Sequence, residues 1–167
     1  MLLEMKVSGL TIDPFTNVPI VILKDADEKN VLPVWIGVLE ASAIASELEK
    51  IQFSRPMTHD LMKEILKSVN VKVKKVEVND LKDNIYYATM YMTTNAGDFT
   101  IDARPSDAIA MALRMSSPIF VDTKVLDKSK SIDFSGGTEK KKKGKGSKGL
   151  SELLEELSPG DFGKYKM

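Results

Sequence analysis

Thr100–Met115, TIDARPSDAIAMALRM, packs a strand end, a stop and a helix into one short stretch. Thr100 and Asp102 alternate with Ile101 and Ala103, as on the two faces of a strand. Pro105 ends that strand, because it gives no N–H to a ladder and biases Arg104 away from helical angles. Ser106 is the expected N-cap, and Asp107 falls in the first helical turn, where a negative charge suits the helix dipole. Ala108 to Leu113 are all apolar, so the short helix they form is expected to be buried on most sides. Asp107, Met111 and Arg114 follow at i, i+4 and i+7 and share one face. Two opposite charges on one stripe of a buried helix call for either an internal ion-pair network or a functional site.

The same grammar occurs at Arg55-Pro56-Met57-Thr58-His59-Asp60-Leu61, with Thr58 able to cap and Asp60 in the first turn. The chain has 24 Lys plus Arg, yet Arg occurs only at positions 55, 104 and 114, and its single His is His59. Lysine supplies the bulk charge, whereas arginine, whose rigid fork fits carboxylate or phosphate, appears only in these motifs. Structural ion pairs imitate sites, so each Arg can equally be read as pairing with a nearby Asp to join two elements.

With 167 residues, the natural expectation is one domain with a proper core. A hydrophobic content of 43%, a charged content of 29% and zero net charge describe a globular protein with no global electrostatic footprint for nucleic acid. Zero cysteines exclude disulfides and cysteine-based zinc sites, and a single histidine excludes multi-histidine metal sites. No apolar run approaches membrane-spanning length, and Glu4 and Lys6 interrupt any signal-peptide core, so the expected location is cytoplasmic, with no membrane partner. The Lys/Glu-rich, nearly Gln-free composition points to a thermophile.

Along the chain, strands are expected at 2–12 (broken or bulged at Gly9), 18–23 and 31–36, joined as an antiparallel meander. A helix over about 38–51 would bury Ala41, Ile44, Ala45 and Leu48, and a helix over 58–69 would bury Leu61, Ile65, Leu66 and Val69. Strands at 71–78, 85–94 and 99–103 follow, with turns at Asp83-Asn84 and Asn95 to Asp98; the central helix and a short buried strand at 119–121 complete the order. The fold class is therefore α+β: a mainly antiparallel or mixed sheet with three main helices packed against it and a flexible C-terminal tail. Residues 1–130 form the domain, 131–149 a Gly/Lys-rich flexible linker, and 150–167 a short amphipathic helix and tail.

Leu32-Pro33-Val34-Trp35-Ile36-Gly37 with Glu40-Ala41 and Ile44, the Arg55–Leu61 motif, and Ile101–Ala110 with Leu113-Arg114 and Pro118-Ile119 occur in that order. Over about residues 1–127 this pattern resembles the bifunctional nuclease domain family. The resemblance implies hydrolysis of phosphodiester bonds in DNA, RNA or both. Such cleavage commonly uses metal-bridging carboxylates, a base, and a cation for developing negative charge. The motifs supply Glu40, Asp60, Asp102 and Asp107 as oxygen ligands suited to Mg²⁺ or Mn²⁺. His59, Asp60 and Asp102, with Arg55 and Arg104 as phosphate clamps, form the expected catalytic set. Asp102 shares a strand face with Arg104 and can instead simply pair with it. The alternative function is a non-enzymatic binding or assembly protein, in which the Arg–Asp motifs fix the fold or a homodimer interface; a homodimer is the expected assembly.

Overall fold

The computed structural model describes residues 1–130; the expected linker 131–149 and the short helix and tail 150–167 lie outside the described residues. Two antiparallel meanders supply six strands. The first runs through β1 (Leu2–Ile12), β2 (Pro19–Lys24) and β3 (Val31–Trp35), and the β1–β2 register slips between Val7 and Gly9 at the expected bulge. The second runs through β4 (Lys72–Lys82), β5 (Ile85–Thr94) and β6 (Gly97–Ala103). Asp83 and Asn84 turn β4 into β5 at positive φ of 50° and 61°, the geometry that a two-residue hairpin of matching twist requires.

A short strand, β7 (Ile119–Asp122), joins the two meanders. It pairs antiparallel with β1 and parallel with β4, giving a seven-stranded mixed sheet of order β3-β2-β1-β7-β4-β5-β6. Ile119 and Val121 are buried because β7 has a neighbour on each edge and helices over one face. The chain reaches β7 from β6 through helix α3 (Pro105–Met115), which lies across β4 and β5. Helix α1 (Val38–Leu48) packs against α3 and β2, and α2 (Thr58–Ser68) packs mainly on α3. Helix α4 (Thr123–Lys130) covers β4 and β7 and was not expected from the sequence. The α+β class with a mixed sheet is the one read from the sequence. No helix among the described residues is long and apolar enough to cross a membrane.

Three local expectations are corrected. Arg104, not Ser106, is the N-cap of α3, with Pro105 at the first helical position and Ser106 buried inside the turn. Proline's fixed φ is pre-organised for that position, so the helix starts two residues earlier than a serine cap would place it. The N-cap of α2 is Met57 rather than Thr58, and the Asp60 carboxylate accepts the Met57 N–H at 3.1 Å. Finally, α2 has no buried residue: Leu61, Ile65 and Val69 are exposed and Leu66 only partly covered. Its inner face is fixed by polar contacts to α3, which turn the apolar stripe outward.

Candidate functional site

Helix α3 carries an arginine at each end, and the two are used differently. At its start, Arg104 donates from Nε to Asp107 Oδ2 at 2.7 Å and from Nη2 to Asp107 Oδ1 at 3.2 Å. The extended backbone of the N-cap (φ −66°, ψ 143°) brings the Arg104 side chain back over its own first turn. Nη1 reaches across to Glu40 Oε1 on α1 at 2.8 Å. Glu40 folds back over the start of its helix, where a Cβ on Gly37 would collide with its carboxylate; glycine is what makes that posture open. Asp107 Oδ1 also meets His59 Nε2 on α2 at 3.0 Å. Three helix starts therefore converge on a chain of Glu40, Arg104, Asp107 and His59.

Burial would raise the Asp107 carboxyl, but hydrogen bonds from Arg104 and His59 outweigh it and hold the group below the usual carboxylate range. The hydrogen bonds to Asp107 push the Arg104 guanidinium up. Because Asp107 is an acceptor when ionised, the Nε2–H tautomer of His59 is the one that bonds to it, and in a neutral ring of that tautomer the lone pair is on Nδ1. The His59 side chain is 12% exposed and that of Arg104 is 65% exposed. Both lie on a groove of about 720 Å³, whose walls include Leu39, Phe53, Met57, Met62 and Ile101.

The other end of α3 is closed. The Arg114 side chain is 2% exposed and donates to Asp60 Oδ1 at 2.7 Å, Ala110 O at 3.1 Å and Ser46 Oγ at 3.4 Å. It ties α3 to α2 and α1 at once. Burial acts to raise the Asp60 carboxyl, but hydrogen bonds from Arg114 and the Met57 N–H win, leaving it lowered.

Of the residues singled out in the sequence, the groove gathers Glu40, His59, Asp102, Arg104 and Asp107. Asp60 and Arg55 line a separate depression beside Lys63 and Glu64. Arg55 is exposed and makes no ion pair among the described residues. Asp102 is exposed on β6 opposite Thr89, and Arg104 pairs with Asp107 and Glu40 instead of with Asp102. The four carboxylates expected to hold Mg²⁺ or Mn²⁺ do not form one cradle. Among the described residues no three His, Asp or Glu side chains are placed to hold an ion, and Glu40 and Asp107 are already bridged by Arg104. Sequence reasoning missed the groove's apolar lining and Ser46. Nothing in the order of residues says that Met57 and Met62 face a cleft.

The bifunctional nuclease domain profile matches residues 21–133, more than half of the chain and all of the groove. The chain belongs to the bifunctional nuclease domain family. An uncharacterized protein of Mycobacterium tuberculosis (strain H37Rv) is 37% identical over 123 residues, covering 74% of this chain and 73% of that protein. Among plant relatives, bifunctional nuclease 2 of Oryza sativa subsp. japonica is 29% identical over 108 residues, covering 62% of this chain and 33% of its own length. Bifunctional nuclease 1 of Arabidopsis thaliana is 28% identical over 108 residues, with the same shares. The stretch matched to this chain is thus a third of the length of each of these two plant proteins.

Proposed function

We propose that the groove is the cutting site of a nuclease acting on DNA, RNA or both. The observation that carries this reading is the His59–Asp107–Arg104 chain at an open cleft. Asp107 holds the His59 ring and fixes its tautomer, so Nδ1 is the atom that takes a proton from an attacking hydroxyl. The oxygen then attacks phosphorus as the P–O bond to the leaving oxygen breaks; the leaving oxygen takes a proton from solvent water, and His59 afterwards returns its own proton to solvent. Arg104 uses three of its five N–H groups on Asp107 and Glu40, leaving two for phosphate oxygens whose charge grows during the step. Its exposure makes those two available. Glu40 and Asp107 are positioning residues that aim the guanidinium. A divalent ion held by Glu40 or Asp107 would share that carboxylate with Arg104, whereas Asp102 on the groove wall makes no ion pair among the described residues.

The alternative is a non-enzymatic binding or assembly protein. It is favoured by the ion pairing of Glu40, Asp60 and Asp107, each of which already has an arginine partner. The deciding experiment is a gel-based cleavage assay of the full chain on single- and double-stranded DNA and RNA, with Mg²⁺, with Mn²⁺ and with chelator. Cleavage that falls at least ~100-fold in His59→Ala is the expected result, the lower end of what a positioned acid–base group contributes. No cleavage of any substrate in any arm leaves the binding or assembly reading standing.

A further inference from the structure

Helix α2 faces inward with its polar side. His59, Asp60, Lys63 and Leu66 lie toward α3 and are partly covered, while Leu61 (51% exposed), Met62, Ile65 (52%) and Val69 point away from the domain. Amphipathic helices on globular proteins do the opposite. The inward side is held by the His59–Asp107 and Asp60–Arg114 contacts, so the helix cannot roll over to bury its stripe without breaking both. The apolar surface then continues across the groove. Met57, Met62, Leu39 (77% exposed) and Ile101 all line it, with Val38 beside Leu39 and Phe99 two residues before Ile101 on the same strand face.

We infer that a second copy of this chain docks on this surface, with α2 against α2 about a two-fold axis at Ile65. Three observations select that occupant. From their fractional exposures, the nine side chains present on the order of 800 Å², about one partner's share of a standard interface. The stripe is self-complementary: Leu61 and Val69 stand one turn on either side of Ile65, so an antiparallel two-fold sets Leu61 on Val69 of the partner subunit. The formal net charge is zero, so no overall repulsion opposes two copies meeting. Met57 and Met62 belong both to this surface and to the groove, so the partner subunit roofs the side of the cleft that the chain leaves open. The assembly does not depend on the groove being a nuclease site.

The test is sedimentation velocity of the full chain across a wide concentration range, for wild type, Ile65→Glu and Lys67→Glu. Ile65 is exposed and its side chain makes no polar contact, so its replacement leaves the fold intact, which circular dichroism checks. Lys67 lies on the opposite side of α2. The expected result is a dimer for wild type and Lys67→Glu, with Ile65→Glu weakening association by ~100-fold or more, as for a central hot spot. A wild-type chain that stays monomeric overturns the inference, and so does a dimer that Ile65→Glu leaves intact. A monomer in which α2 is protected from hydrogen exchange assigns the cover to residues 131–167 of the same chain, which also overturns it.

Discussion

Arg104 and Arg114 stand at the two ends of one helix, each bonded to an aspartate, yet their surroundings separate them. Arg114 is enclosed by three helices, and its partners are an acid, a backbone carbonyl and a hydroxyl. Arg104 holds two acids but leaves its outer edge to solvent over a cleft. A buried, fully bonded arginine keeps elements together; under the proposed function, the exposed one held rigid by acids is ready for an anion. Residue type alone does not distinguish these roles. What decides is whether water reaches the guanidinium.

The contrast breaks most visibly at Arg114. Arg114→Ala removes the partner of Asp60 and opens the joint between α1, α2 and α3. Breaking such a buried pair costs about 3–5 kcal/mol. The lower end is expected, because the Asp60 side chain is 34% exposed and keeps contact with water. Denaturant unfolding checks this, and a loss below about 1 kcal/mol would remove Arg114 from its structural role.

Acid sharpens the comparison next. Asp60 and Asp107 both have folded pKa values below their unfolded ones. Their contribution is therefore present above the unfolded carboxylate value of about 3.9 and is lost as pH falls through the folded values. Stability measured by urea unfolding is expected to drop below about pH 4, and the drop is expected to be shallower in Arg114→Ala, where Asp60 has lost its main charge partner. An equal acid slope in the variant would mean that Asp60 does not titrate through Arg114.

The smallest effect belongs to Asp102. It is exposed and, among the described residues, makes no ion pair. Asp102→Asn is expected to change stability by less than about 0.5 kcal/mol, the usual range for such a surface position. A larger loss in thermal unfolding would reveal a partner that the fold does not show.

Much of this arrangement was legible in the sequence. Period-two alternation and turn residues located the strands of both meanders, and Pro105 and Pro56 marked the helix starts that meet at the site. The rarity of arginine and histidine pointed to Arg55, Arg104, Arg114 and His59, but Arg55 lies outside the groove and makes no ion pair among the described residues. The sequence did not say which acid each arginine takes. Asp102 is nearer to Arg104 in the strand pattern, but the helix start swings the side chain toward Asp107 and Glu40. The direction of α2 was also hidden, because a stripe of Leu61, Ile65 and Val69 reads the same whether it faces its own core or a partner. Glu77 is a third instance. Alternation places it on the outer sheet face, yet it is buried, accepting from Lys75 and from the Tyr91 hydroxyl at 2.9 Å. Its partners are Tyr91 on the neighbouring β5 and Lys75 two residues back on its own strand, and the first of these is a tertiary contact that local pattern does not carry.

The most direct measurement is of Arg104→Ala, comparing its cleavage rate under single turnover with its thermal stability beside wild type. If Arg104 serves the site and Arg114 the fold, this variant melts within a few degrees of wild type, as expected for exposed ion pairs worth about 0–1 kcal/mol each. Its cleavage falls by ~100-fold or more, the scale for losing a group that meets developing charge. A variant that cuts at the wild-type rate, or that unfolds as readily as Arg114→Ala, would contradict the division of labour along α3.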